Sequence, residues 1–145
     1  MAWGIVYYCT ADDRVPAERF LDSCPSKVEA TILAVLEAVR AAPPPAFSGG
    51  GKWEAMRGAM GGYYEIRVTG PGSRHYRLFC LLDNGSPNEL AERGFDRPQI
   101  AVISGMVKEH MTEFTDGEYR KQVRKLGDDS LATRPRRIAA DDVEH

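Results

Sequence analysis

The residues with chemistry to offer gather in one stretch, YYEIRVTGPGSRHYRLFCLL, over residues 63–82. It holds Glu65, Arg67, His75 and Arg77, and Lys108 closes a later apolar run. An imidazole titrates near ~6.5, so His75 can take up or release a proton close to neutrality. Glu65 is a second proton acceptor. Arginine stays charged and presents a planar fork of donors, which suits a bidentate grip on an anion. Groups of these types, held together, can bind a negatively charged substrate and move a proton.

Two strands must position them. Side chains alternate across a strand, so Tyr64, Ile66 and Val68 share one face while Tyr63, Glu65 and Arg67 share the other. The second arm repeats the pattern, with Tyr76, Leu78, Cys80 and Leu82 apolar and His75, Arg77 and Phe79 opposed to them. Thr69, Gly70, Pro71, Gly72 and Ser73 supply the backbone freedom and restriction of a reversal. Bringing both apolar sets to one core pairs Val68 with Tyr76 and Ile66 with Leu78. That register sets Arg67 across from Arg77. Like charges directly opposed on a sheet repel, which points to an anion over the pair, the alternatives being a solvated face or pairing with Glu65.

At 145 residues with a formal charge of −2, the chain has the size of one domain with a single core. Positive charge is uneven: Lys52, Arg57, Arg67, Arg74 and Arg77 stand against only Glu54 and Glu65 in that stretch. Global charge therefore gives no sign of nucleic-acid binding, and any such role rests on the local patch. Cys9, Cys24 and Cys80 are odd in number and lack C-x-x-C spacing, which fits reduced thiols in a cytoplasm. His75, His110 and His145 show no metal-ligand spacing, so no metal and no cofactor is expected. Gly51-Lys52 lacks the partner glycine and the Ser or Thr of a phosphate-binding loop. The N-terminal residues lack a signal-peptide pattern, and no apolar window approaches the ~18 residues of a membrane span.

In chain order, residues 3–9 read as a strand and residues 16–22 as a short helix with Pro16 at its first position. Val28, Ile32, Val35, Leu36 and Val39 recur at helical spacing behind Ser26 and Glu29, a capping-box pair, and prolines 43–45 end that helix. Residues 47–60 read as loop, and residues 83–98 as a long surface loop with a helical turn at residues 89–93. Residues 99–107 are apolar on both faces, as in a central strand, and deliver Lys108. Thr115 with Glu118 starts a last helix, on which Tyr119, Val123 and Leu126 share a side. The fold class is α+β: a small, mostly antiparallel sheet with an N-terminal helical hairpin on one face and a C-terminal helix. Residues 1–127 form the domain, and residues 128–145 have too few apolar side chains to pack and read as a tail.

Taken together, the order of elements, the YYEIRV and RHYRLFCLLD strands and the ISGMVK strand ending in a cation resemble the RelE/ParE superfamily of type II toxin-antitoxin toxins, nearest its HigB-like branch. The likeness spans residues 6–126. It implies a RelE-like fold and a cytoplasmic toxin that cleaves mRNA at the ribosome, inhibits translation and is neutralised by a cognate antitoxin protein. By this likeness Arg67 falls at the basic position of the Y-x-[IL]-[RK]-V strand, Arg77 on the arginine of the Y-R-[IV]-F strand and Lys108 on the cation closing the last strand. Glu65 stands where several members carry a second lysine. The same fold can also act on a protein target such as gyrase, or bind RNA without cutting it.

Metal-independent RNA cleavage needs a base for the 2′-hydroxyl, cations for the charge building on phosphorus and an acid for the departing 5′-oxygen. On this reading Arg77 stabilises the transition state, Arg67 holds a neighbouring phosphate and Lys108 supplies a second cation or the leaving-group proton. His75 and Glu65 compete for the role of base. Lys52, Arg57 and Arg74 are candidate phosphate contacts, Trp53 and Tyr63 candidate stacking platforms, and His110 a further candidate beside Lys108. Tyr119 reads as a packing residue by its helical spacing.

Overall fold

The central hairpin forms in the register its alternation requires. In the computed structural model, which describes residues 2–42, 51–109, 111–133 and 138–139, β3 (Tyr63–Thr69) and β4 (His75–Asp83) are antiparallel, with Val68 opposite Tyr76, Ile66 opposite Leu78 and Arg67 opposite Arg77. The reversal is a single 3₁₀ turn over Pro71–Ser73, in which Gly72 takes a φ of 69°.

Four further strands complete the sheet: β1 (Gly4–Tyr8), β2 (Trp53–Ala55), β5 (Gln99–Lys108) and β6 (Ile138–Ala139). Their order is β2-β3-β4-β5-β1-β6, and only β1 and β5 run parallel. The doubly apolar run over residues 99–107 is central, as its composition predicts. The segment read as loop over residues 47–60 contains β2, a three-residue edge strand too short for its alternation to register in the sequence.

Each face of the sheet carries helices. On one, α1 (Pro16–Ser23) and α2 (Ser26–Ala41) cover Ile5, Tyr7, Ile66, Leu78, Ile100 and Val102. Burial of Leu21, Ile32, Leu36 and Val39 on that face drives the hairpin's docking, at roughly 1.5–3 kcal/mol for each fully buried side chain. Ser26 is already the first helical residue and Pro25 the cap, with no side-chain cap bond, so the Ser26–Glu29 pair does not act as a capping box. The other face is covered by the C-terminal helix, α4 (Asp116–Tyr119), which passes through a π turn over Arg120–Arg124 into α5 (Lys125–Thr133). Beneath it lie Val6, Tyr8, Met60, Tyr63, Phe79, Ile103 and Met106. In the long connection after β4, α3 (Pro87–Glu92) starts two residues earlier than its sequence signal and is held by a Ser86–Glu89 capping box. None of the described helices is long and apolar enough to cross a membrane.

The boundary expected after residue 127 does not mark the end of ordered structure. Helix α5 continues to Thr133, Ser130 is buried, and the Tyr8 hydroxyl donates to Asp129 Oδ2 at 2.5 Å. Ile138 and Ala139 then pair with Tyr8 and Tyr7. A polar segment packs here because a buried tyrosine hydroxyl and an open strand edge both need hydrogen-bond partners, which the apolar count of the segment does not reveal.

Candidate active site

The strands present their charges in crossed pairs. Glu54 lies opposite Glu65 across β2 and β3, and Arg67 opposite Arg77 across β3 and β4. Acid repels acid and base repels base along these rows, while the diagonals, and Glu65 with Arg67 two positions along β3, attract. Arg67 Nε lies 3.4 Å from Glu65 Oε1, Arg67 Nη1 lies 3.8 Å from Glu54 Oε1, and Arg77 Nε lies 3.8 Å from Glu65 Oε1. The opposition of the two arginines is thus relieved within the chain, by Glu65, rather than requiring an external anion.

Lys108 reaches this face through an irregularity. Phe79 is opposite Ser104 and Cys80 opposite Val102, so Ile103 is an extra residue in β5. Such a bulge reverses the alternation beyond it. It turns Met106 and Lys108 to the face of Arg77, whereas strict alternation puts them with Val102 under the helical hairpin. The Lys108 ammonium then sits 4.4 Å above the centre of the Phe114 ring, a cation–π contact that limits its reach.

The C-terminal helix closes the cluster. Thr115 and Glu118 form the capping box their spacing predicts, which fixes the first turn and with it Tyr119. Tyr119, Phe79 and Phe114 meet edge to face, with ring centres 5.7 to 6.4 Å apart. The π turn follows directly; such turns recur at functional sites. Tyr119 therefore packs, as its spacing predicts, and also joins the charged cluster: burial raises its hydroxyl pKa and the Glu65 carboxylate raises it further. Its place beside the charges depends on the helix crossing the sheet, which no local pattern announces.

The electrostatics move acid and base toward each other. Burial raises the Glu65 pKa above the usual glutamate value, against the opposing pull of Arg77 and Arg67. Burial also lowers the Lys108 pKa, assisted by the positive charge of Arg77. A carboxylate made more basic and an ammonium made more acidic, within one cluster, are suited to general base and general acid catalysis. Arg77 is only 11% exposed and Arg67 44%, so Arg77 is the inner and Arg67 the outer guanidinium.

His75 shares this face, two positions along β4 from Arg77 and opposite Lys108, and is half-buried. Lys52 and Arg57 are exposed near β2. Arg74 is exposed at the hairpin turn, where it pairs with Glu109 at 3.1 Å. Trp53 and Tyr63 do not serve as stacking platforms. Trp53 is buried on the opposite face, stacked on Tyr64 with ring centres 5.0 Å apart. Tyr63 is buried against the C-terminal helix, and burial together with the Asp128 charge pushes its hydroxyl pKa up to about 12. Proximity in sequence to cations does not say which face a ring occupies. His110 lies outside the described residues. Among the described residues, no three His, Cys, Asp or Glu side chains come together as metal ligands. Comparisons with protein-family models, with curated proteins and with solved structures find no match to this chain.

Proposed function

We propose that this chain is a cytoplasmic toxin of a type II toxin-antitoxin pair, acting as a metal-independent endoribonuclease on ribosome-bound mRNA and held inactive by a cognate antitoxin. The observation that carries the reading is the Glu65 carboxylate placed between Arg67 and Arg77, with Lys108 and Tyr119 alongside. A phosphodiester over the two guanidiniums competes with Glu65 for them and frees the carboxylate to accept the 2′-hydroxyl proton. Arg77, the more buried of the two, stabilises the extra charge on phosphorus. Lys108 protonates the leaving 5′-oxygen. Glu65 is preferred to His75 as base because it contacts both arginines, whereas His75 lies further along the strand.

The test is to induce the protein in cells beside its Arg77→Ala variant and to map the 5′ ends of cellular mRNA. In-frame cuts within translated messages, reduced about 100-fold or more in a variant with an unchanged melting temperature, support the reading. Growth arrest without such cuts refutes it and favours a protein target such as gyrase. Uncut messages with no arrest refute both.

A further inference from the structure

β1 pairs with only the first part of β5: its register ends at Tyr7 opposite Val102. The chain then leaves the sheet, because Thr10 and Arg14 close a turn in which the Thr10 amide donates to the Arg14 carbonyl at 2.8 Å, and α1 begins. Beyond that point β5 is paired on one side alone, by β4 as far as His75 opposite Lys108. Alternate backbone groups of residues 104–107 thus face away from β4, and among the described residues no strand pairs with them.

This open edge is the floor of a slot of about 570 Å³. One wall is α1, through Pro16, Arg19 and Phe20. The other is the C-terminal helix, through Glu118, Lys121, Gln122 and Leu126. Phe20 packs directly on the floor: a Cβ on Gly105 would stand 2.1 Å from its ring. Val107 is 48% exposed in the slot although it belongs to a strand otherwise mostly buried. Arg19 and Lys121 are exposed at the two walls, and neither is paired with a carboxylate among the described residues. Glu118 is the one acid lining the slot, and its carboxylate already accepts from the Thr115 amide.

We infer that this slot receives an extended, acidic segment of a partner protein, which adds to β5 over residues 104–107 and continues the line that β1 abandons. An unpaired strand edge recognises extended backbone, and its neighbours select side chains. Here apolar side chains fall against Phe20, Val107 and Leu126, and carboxylates against Arg19 and Lys121 on the two sides. A second copy of this chain does not fit. Its own edge is recessed between the same two helices, so two floors cannot meet, and the pairing brings together like-charged walls.

The full-length protein, labelled with ¹⁵N, is titrated with a capped heptapeptide of alternating valine and aspartate, and separately with its valine–lysine counterpart. Amide exchange slowed about tenfold at those amides of residues 104–107 that face away from β4, with the aspartate peptide alone, supports the assignment. Reversing a wall charge with Lys121→Glu then weakens the aspartate peptide about fivefold and leaves the fold intact by its spectrum. Equal binding of both peptides, protection elsewhere, or no protection overturns it. So does an edge already protected in the free protein, which would mean that the chain itself or a second copy fills the slot.

Discussion

Glu65 is the side chain on which the charged cluster balances, because Arg67 and Arg77 both depend on it for relief. Its environment has a consequence for pH. Burial raises its folded-state pKa, so the folded chain binds this proton more tightly than the unfolded chain does. The associated stability is full below the ordinary glutamate value of ~4.3 and is lost as pH rises through the raised folded-state value. A carboxyl-detected NMR titration is expected to show Glu65 titrating above the exposed glutamates. Arg77→Leu removes the largest of the opposing pulls, those of Arg77, Arg67 and Lys108, and moves the midpoint higher still; a midpoint that stays put or falls would contradict the assigned causes.

At the scale of elements, the C-terminal helix is held to the sheet by a contact that tolerates no side chain. A Cβ on Gly127 would stand 1.8 Å from the Tyr63 hydroxyl oxygen. Gly127→Ala therefore forces the helix away from β3, although alanine is the better helix former by roughly 1 kcal/mol. The overpacking is expected to win, with a net loss on the order of 1–3 kcal/mol in urea unfolding. Tyr63→Phe removes the clashing oxygen, so the double variant recovers part of that loss. Strict additivity of the two substitutions would show that the contact is not the cause.

For the molecule as a whole, the sheet is sandwiched between two helical layers of unequal security. The helical hairpin buries a long apolar stripe, whereas the C-terminal helix adds mainly Val123 as a fully buried residue and depends on Tyr8, Asp129 and Ser104 for polar anchorage. The Ser104 hydroxyl donates to the Gln122 carbonyl at 2.7 Å, within the π turn. Ending the chain after Thr115 uncovers Met60, Phe79, Ile103 and Met106 together. Such a truncation is expected to bind a hydrophobic dye and to lose its cooperative thermal transition. A truncated chain that unfolds as the full protein does would mean that this layer contributes nothing to the fold.

Much of this architecture follows from local pattern. The period-two alternation of residues 63–82 dictates the hairpin register, including Arg67 against Arg77, because only one parity buries both apolar sets. The helical periodicity behind Pro25 and the Thr115–Glu118 box likewise appear where the chain announces them. Tertiary structure alone decided the rest. The bulge at Ile103, which carries Lys108 to the side of Arg77, has no signature in a run apolar on both faces. Tyr119 joins the charges, and Trp53 and Tyr63 leave them, because a side chain's neighbours across layers depend on which face each element presents. Of the readings the sequence left open for the opposed arginines, an external anion, a solvated face or pairing with Glu65, the distances show the last. Local periodicity specifies faces within an element; the distances between elements, where charges meet, are set only when the layers close on one another.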